Sequence, residues 1–306
     1  MEKRTVRKKI KKEWIWAWIF IFPTIVGAIA FGFYPLIRSV VMMLTEWDGM
    51  TRPRFTGLDN FVRLFQDPIF WFELKNTLIF AFVSVPLTML FSVLLAAALN
   101  VRRGPVGLMR VIYYLPSVTM PVAIAAVWKW MFNSKAGIIN YLLNLLGISG
   151  PNWLSDPDFI MIAVVIVSVW AGMGYNMIIL LSALKNIPAT YYEAAKIDGG
   201  NGFQIFMRLT LPMLSPTLFF LSITGLMSAF KTFDIVYMFC MPGNSGSMPT
   251  NTMNALRTMV FGIYRNGFTF MEMGYAAAEA FILLLIILLV TVVQFAGQKR
   301  WVNYDI

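Results

Sequence analysis

Long apolar runs dominate the pattern of this chain, and polar residues collect in the shorter stretches between the runs. A helix needs about 20 apolar residues to cross roughly 30 Å of hydrocarbon. Six runs meet that length, and we predict a transmembrane helix over each: 14–37, 77–99, 108–132, 159–184, 211–230 and 274–296. The pattern therefore predicts an all-α, polytopic membrane protein with six transmembrane helices. Its membrane domain covers 14–298, between a basic N-terminal segment (1–13) and a tail (299–306).

The composition agrees with a membrane protein and excludes several kinds of site. Apolar residues make up 58% of the chain and charged residues 13%, whereas soluble domains average about 45–50% and about 25%. The single cysteine, Cys240, cannot form an intrachain disulfide, and the absence of histidine excludes a Ser-His-Asp triad. No Walker-type phosphate loop, H-E-x-x-H motif or paired C-x-x-C occurs, so we expect no catalytic, cofactor or metal site. The formal charge of +10 is a topology signal here, and we expect no nucleic-acid partner.

The distribution of lysine and arginine predicts which ends of the spans face the cytoplasm. Cytoplasmic loops of membrane proteins carry an excess of both residues. With both termini inside, the inner segments hold 15 of these residues and the outer segments hold 8. The inner segments are 1–13, 100–110, 185–210 and 297–306, and the outer ones are 45–76, 133–158 and 231–273. We therefore predict that both termini are cytoplasmic.

The N-terminus allows further alternatives. Residues 1–13 favour a topology anchor that also lies on anionic lipid, and a partner-binding helix is the alternative. The apolar run that follows, with Ala28 and Ala30, resembles a signal peptide and its cleavage site. The run continues to Ile37, which is too long for such a peptide, so we expect an uncleaved span.

Ionisable residues inside the predicted spans are few, and their roles stay open. An intramembrane carboxylate is by default a functional hypothesis, and Glu279 is the clearest example. It lies near the outer end of the sixth span, which favours a structural or pore-mouth role over proton coupling. The cluster Trp128-Lys129-Trp130 favours an outer interfacial belt of aromatic residues.

The stretch 185–216 separates the fourth and fifth runs and predicts a helix–turn–helix at the membrane surface. Tyr191 to Ile197 can form about two turns, with Glu193 near the positive end of the helix dipole. Gly199 and the glycine after it can adopt positive φ and end that helix. Asn201 can cap the next helix.

Capping leaves part of this stretch unexplained. Ala194 and Ala195 form a small, smooth surface that permits the close approach of another protein. The tyrosines beside them, Tyr191 and Tyr192, are costly to expose without a partner. On these residues alone, a capping role and a docking role both stay open.

The segment from Glu193 to Pro216, EAAKIDGGNGFQIFMRLTLPMLSP, resembles the EAA loop of permease subunits of ABC importers. Gly200 stands where that family usually has alanine, and Leu209 where it usually has isoleucine. Residues 55–80 and 229–237 resemble segments of sugar permeases of the maltose, lactose and glycerol-3-phosphate type. The positions that match the loop pattern are Glu193, Ala194, Ala195, Asp198, Gly199, Leu211, Pro212 and Pro216.

The resemblance implies a type I ABC importer permease fold in a bacterial-type cytoplasmic (inner) membrane. It implies that the EAA loop, about 188–212, forms a coupling helix in a groove of a cytoplasmic ABC ATPase dimer. That dimer would bind ATP and Mg²⁺, so this chain needs no cofactor of its own and is not an enzyme. The other implied partners are membrane lipid, a second permease subunit in a heterodimer and an extracellular or periplasmic solute-binding protein. The residues implied to contact the ATPase are Tyr192, Glu193, Ala194, Ala195, Asp198 and Gly199.

Two sets of residues resemble the family's midmembrane substrate residues. Within each set the spacings are three and four, so its members share one helix face. Gly172 would let a sugar ring approach the backbone, although packing of small residues between membrane helices is the alternative. The sets are Ser168, Gly172 and Tyr175 in the fourth span and Gly225, Ser228 and Thr232 in the fifth.

These observations predict the permease subunit of an ATP-driven, binding-protein-dependent importer for a sugar or oligosaccharide. A permease of the same architecture for a polyol, a sugar phosphate or a polyamine is the first alternative. An ion-coupled secondary transporter is the second, although we find no inverted repeat and no well-placed midmembrane ionisable residue. The absence of histidine makes a membrane enzyme a remote third.

Overall fold

The computed structural model describes residues 2–101, 106–241 and 248–302, with side chains for 14–100, 106–241, 248–299 and 302. Four parts of the sequence predictions lie outside the described residues. They are Met1 of the basic segment, residues 102–105 of the inner segment 100–110, residues 242–247 of the outer segment 231–273, and residues 303–306 of the tail.

The described residues are mostly helical, which confirms the all-α prediction. A two-residue strand, β1 (Thr45–Glu46), pairs antiparallel with β2 (Arg54–Phe55). Short π-helical stretches cover Ile29–Phe33, Phe206–Thr210 and Arg265–Thr269. The α-helices are α1 (Glu2–Ala28), α2 (Tyr34–Met42), α3 (Asp59–Gln66), α4 (Pro68–Val101), α5 (Val106–Val118), α6 (Pro121–Met131), α7 (Ile138–Leu145), α8 (Pro157–Asn186), α9 (Ala189–Ile197), α10 (Gly202–Ile205), α11 (Leu211–Met213), α12 (Ser215–Phe230), α13 (Asp234–Cys240), α14 (Thr250–Leu256), α15 (Met259–Tyr264) and α16 (Met273–Trp301).

Among the described residues, five helical segments are long and apolar enough to cross a membrane, and a bent helix pair makes a sixth candidate. Each overlaps one of the six predicted spans. The predicted span 108–132 is not one straight helix, because α5 and α6 meet at an angle of 99°. The other five segments are Trp14–Met42, Pro68–Asn100, Pro157–Asn186, Ser215–Cys240 and Met273–Lys299. The fifth predicted span, 211–230, differs most from its segment, which begins at Ser215 and continues through α13 to Cys240.

A proline explains the break between α5 and α6. Pro121 is the first residue of α6, and a proline clashes with helical backbone in the residue before it. Met120 accordingly has φ −55° and ψ 127°, outside the helical region. The hydropathy pattern could not reveal this break, because the apolar run continues across it.

The chain forms two compact units, Met1–Leu64 with Arg265–Phe281 and Phe65–Tyr264 with Ile282–Ile306. In the first unit, the buried Asn60 amide donates to the backbone oxygens of Met43 and Thr45, each over 2.9 Å. Glu279 is also fully buried there, and its Oε2 accepts a hydrogen bond of 3.0 Å from Asn266 Nδ2. A buried carboxylate with a hydrogen-bond partner inside the unit is consistent with the structural role expected for Glu279.

The second unit is built on α4 and α8, which pack against each other along much of their length. A third helix, α5, packs against α8 at Gly174. The approach is possible because glycine has no side chain, whereas a Cβ at this position would collide with the backbone oxygen of Tyr113. Small residues permit such close backbone approach between membrane helices. The buried core includes Val93, Ala96, Leu99, Met177, Leu180, Leu181, Leu184, Leu214 and Leu221.

Candidate functional site

The second unit encloses a cavity of about 490 Å³ between its long helices. All six residues of the predicted substrate pathway line this cavity, which we call the α4–α8–α12 cavity. They are Ser168, Gly172, Tyr175, Gly225, Ser228 and Thr232. The structure thus brings the two predicted sets together, and their contact with a transported molecule stays a prediction.

The helix period places the first set. Ser168, Gly172 and Tyr175 share one face of α8, while Val164 and Met177 of the same helix are fully buried. The second set differs from its prediction in one respect, because α12 ends at Phe230 and Thr232 lies beyond it.

The two glycines of the prediction also serve helix packing. A Cβ on Gly172 would lie 3.3 Å from Thr88 Cγ2, and a Cβ on Gly225 would lie 3.1 Å from Val85 Cγ1. Both glycines therefore let α8 and α12 approach α4. The alternative of small-residue packing is thus realised at these two positions, alongside their place on the cavity wall.

Several polar residues of the wall were not predicted from the sequence. Ser84 and Thr88 of α4 lie four residues apart in a strongly apolar run, which is the signal that could have identified them. Thr119 lies at the break between α5 and α6, which the sequence did not predict. The missed polar residues are Ser84, Thr88, Ser117, Thr119, Asn176 and Thr224.

The cavity wall carries no formal charge. None of the described residues that line it is Asp, Glu, Lys or Arg. Lys231 and Asp234, which flank the lining residues Thr232 and Ile235 in sequence, have opposite charges, are exposed and do not line it. The wall therefore offers hydroxyl, amide and aromatic groups alone as polar or ring contacts.

The Trp128-Lys129-Trp130 cluster is divided between two environments. Lys129 Nζ donates to the backbone oxygens of Met238 and Met241, each over 2.8 Å, at the C-terminal end of α13. Trp128 packs edge-on against Trp170, with ring centroids 5.5 Å apart. Trp130 is 60% exposed, so it alone has the exposure that the predicted interfacial belt requires.

The stretch 185–216 folds as its local chemistry predicts. α9 ends at Ile197, Asp198 follows it as the C-cap residue, and Gly199 has the positive φ of 77° that turns the chain. Asn201 and Gln204 then form a capping box, in which each side chain bonds the other residue's backbone N–H over 2.9 and 3.0 Å. The predicted end of α9 at Ile197 and the cap of α10 at Asn201 are confirmed. The predicted start at Tyr191 is wrong, because α9 begins at Ala189 and Glu193 therefore lies outside its first turn.

The surface of α9 and the turn after it is exposed. Glu193 and Ala194 are exposed, and Ala195 is half-buried. Ile197 is 87% exposed and Phe203 is 74% exposed, so this stretch also exposes large apolar side chains. Exposed apolar groups of this size mark interaction sites.

Helical turns connect this surface to the cavity. α10, the π-helical stretch Phe206–Thr210, α11 and α12 follow one another, with only Leu214 between the last two. The buried Leu214 belongs to the core of the second unit. In addition, the oxygens of Tyr192 on α9 and Thr210 lie 3.4 Å apart, within hydrogen-bond distance. α9 is therefore linked to α12 and the cavity wall both along the chain and through this contact.

Comparison with known proteins establishes the family of this chain. Residues 12–302 match the family model described as "Binding-protein-dependent transport system inner membrane component". The chain belongs to this family. It is 38% identical to the lactose transport system permease protein LacF of Rhizobium radiobacter, over 97% of the chain and 98% of that protein. It is 32% identical to the sn-glycerol-3-phosphate transport system permease protein UgpA of Pectobacterium atrosepticum, over 98% of the chain and 99% of that protein.

A solved structure shows the same fold. A chain of the bacterial alginate ABC transporter, in complex with an alginate pentasaccharide-bound periplasmic protein, superposes with a TM-score of 0.83. The two chains are 23% identical, and the match covers 96% of each. The present chain therefore has the fold of an ABC importer permease.

Proposed function

We propose that this chain is the permease subunit of an ATP-driven importer for a sugar or oligosaccharide and forms half of the translocation pathway. The observation that carries the proposal is the helical connection between two surfaces. One is the exposed EAA helix α9, and the other is the uncharged α4–α8–α12 cavity, whose wall α12 forms in part.

The EAA helix is the surface through which a separate ATPase dimer acts. Glu193 makes a charge-assisted contact with a basic group in a groove of the ATPase. Ala194 and Ala195 let the groove close on the helix, and Gly199 supports the turn that presents it. ATP and Mg²⁺ belong to the ATPase, and α9 converts a groove movement into a rigid-body change of access.

The cargo class follows from the cavity and the relatives together. LacF is named for lactose transport, and a wall of hydroxyl, amide and aromatic groups suits such a molecule. A polyamine would need carboxylates, which the described lining residues lack. The sugar reaches the cavity from a solute-binding protein on the outer side, since the family is binding-protein-dependent.

The assembly has a defined orientation and set of partners. Both termini and the EAA loop face the cytoplasm, as the excess of basic residues in those segments indicates. A second permease, different from this chain, completes the pathway as a heterodimer. Residues 1–13 lie on anionic lipid at the inner surface.

Affinity purification of the full-length chain in mild detergent from its native host tests the assembly. We expect an ABC ATPase, a second permease and a solute-binding protein to co-purify. Uptake of the binding protein's ligand should stop on ATP depletion. Uptake that survives ATP depletion and collapses with an ion gradient would instead establish the secondary-transport alternative.

A charge reversal tests the coupling surface directly. Glu193→Lys should abolish uptake and ATPase association while the protein still inserts in the membrane. Lys185→Glu, a charge change of equal size and opposite sign at the end of α8, is the matched control and should retain both. Normal association and uptake in the Glu193→Lys variant would remove α9 from the coupling role.

A further inference from the structure

We propose that the α4–α8–α12 cavity selects neutral, hydroxyl-rich sugars over sugars that carry a carboxylate or phosphate. This inference rests on the proposed function, and it concerns the hydrogen-bonding state of the wall. The inferred selectivity would differ from that of two similar proteins, because UgpA is named for the transport of glycerol-3-phosphate and the structural neighbour for the transport of alginate.

Most hydroxyl groups of the wall already donate their hydrogen to the backbone. Six side chains that line the cavity bond a carbonyl oxygen three or four residues earlier. The bonds are Thr88 to Ser84 (2.7 Å), Ser117 to Tyr114 (2.7 Å), Thr119 to Leu115 (2.9 Å), Ser168 to Val164 (2.8 Å), Thr224 to Phe220 (3.0 Å) and Thr232 to Ser228 (3.4 Å).

This arrangement makes acceptors predominate on the wall. A hydroxyl group has one hydrogen and two lone pairs, so a hydroxyl that donates to the backbone offers only lone pairs to a ligand. The hydroxyl groups of a sugar supply the matching donors. An ionised carboxylate or phosphate has acceptor oxygens only, and those would face the lone pairs of the wall.

The wall also lacks the groups that usually offset an anion. No Lys or Arg occurs among its described residues, and desolvating an unpaired charge is costly. The donors that remain available are the side-chain amide of Asn176 and the hydroxyl groups of Ser84, Tyr175 and Ser228. All of them are neutral, and bonds from charged donors are about twice as strong.

A helix N-terminus next to the cavity could be expected to bind an anion, but it is poorly equipped to do so. α6 begins at the lining residue Pro121, which has no N–H group. The N–H groups of Ala123 and Ile124 both bond the oxygen of Met120, over 3.0 and 3.2 Å. The donors that make other helix N-termini anion sites are thus mostly absent or engaged.

Rings complete the match to a neutral sugar. Tyr175 of α8 and Phe220 of α12 are 51% and 53% exposed and line the cavity. Such aromatic faces can cover the C–H faces of a sugar ring while the hydroxyl groups around the ring meet the acceptors. The wall is therefore complementary to both kinds of surface on an uncharged sugar.

Uptake by cells that express the complete importer tests the class of cargo. The probes are radiolabelled glucose, galactose, maltose and lactose, each set against an anionic sugar: glucuronate, galacturonate, glucose 6-phosphate or glycerol 3-phosphate. We expect ATP-dependent uptake of at least one neutral probe and less than a tenth of that rate for every anionic one. Uptake confined to anionic probes overturns the inference and leaves the proposed sugar importer standing. If no probe is taken up by an ATP-dependent route, the proposed function fails with it.

A matched pair of variants assigns the selectivity to this wall rather than to the binding protein. The permease–ATPase complex in lipid nanodiscs, without binding protein, is titrated with the neutral probe that the cells take up. Thr224→Val keeps the shape of the side chain but removes its acceptor, and it should raise the Kd about five- to tenfold. Thr224→Ser keeps the acceptor and should stay within about twofold. Equal Kd values for the two variants, or no binding to the unaltered complex, would overturn the inference.

Discussion

Arg257 and Glu73 form a buried ion pair between residues 184 positions apart, with Nε 2.8 Å from Oε1 and side-chain exposures of 4% and 1%. Glu73 lies on α4, and Arg257 lies between α14 and α15. Asn76, one turn further along α4, donates to the backbone oxygens of Asn254 and Arg257 over 2.8 and 3.0 Å. These contacts fix the short helices α14 and α15 against α4. Glu73 lies two helical turns before Phe80, which lines the cavity.

Removing one member of this pair should strongly destabilise the protein. Glu73→Gln leaves the charge of Arg257 buried without its partner, and Arg257→Met does the same to the charge of Glu73. Such changes cost about 3–5 kcal/mol. The free energy of unfolding in mixed SDS–detergent micelles measures the loss. Replacing both residues with Met should recover most of it, because neither charge is then buried.

An exposed pair in the same protein is the control. Arg63 and Glu272 also lie 2.8 Å apart, but their side chains are 59% and 36% exposed. Glu272→Gln should change the free energy of unfolding by at most about 1 kcal/mol. Equal losses at the two pairs would contradict a special role for burial.

Gly174→Ala should weaken the contact between α5 and α8. The new methyl group would meet the backbone of Tyr113, which cannot move aside as a flexible side chain can, so we expect a loss of about 1–3 kcal/mol. Gly107→Ala on α5 is the matched change, since nothing lies within 4 Å of its Cβ position. That variant should gain up to about 1 kcal/mol from helix propensity. Unfolding in the same micelles compares the two.

Gly199 allows a graded test of the turn after the EAA helix. Its φ of 77° is accessible to asparagine but strained for a β-branched residue. Gly199→Asn should therefore retain ATPase association in a pull-down assay, whereas Gly199→Val should lose most of it. Gly202→Ala, at a position with nothing within 4 Å, controls for added bulk in the loop. Equal binding by the Asn and Val variants would show that the turn geometry does not matter.

The orientation of the chain can be tested with single cysteines. Cys240 is the only cysteine of the sequence, and it is buried, so a Cys240→Ser background is suitable. In intact cells a membrane-impermeant maleimide should label Lys135→Cys and spare Lys196→Cys, both at exposed positions. After the membrane is permeabilised, both should react. The opposite pattern would reverse the topology.

Local chemistry predicted the turn and the cap in the stretch 185–216 well. Gly199, Asn201 and Asp198 act through their own backbone and their nearest neighbours, so the sequence suffices to place the ends of α9 and α10. The spans were predicted for a similar reason, because the hydrocarbon thickness sets a required length of apolar sequence.

Features that depend on distant residues were not predictable in this way. Glu73 and Arg257 form a pair although 184 positions separate them in the sequence. From the sequence alone, each is only a charged residue in a loop or near the end of a span. Ser84 and Thr88 escaped notice because hydroxyl residues in membrane helices also serve ordinary packing. Only the three-dimensional structure shows that these two residues of α4 line the same cavity as Ser168.

The hydroxyl groups of the cavity wall that donate to the backbone should also lower the entropic cost of binding the cargo. A hydroxyl that already bonds its own helix has a fixed rotor, so an arriving sugar does not have to immobilise it. The wall is then equally ordered before and after the cargo has passed. Cargo binding at Thr88, Ser168 or Thr224 should therefore leave those side chains' motion unchanged, so that the same stretch of wall can receive and release sugar with little reorganisation.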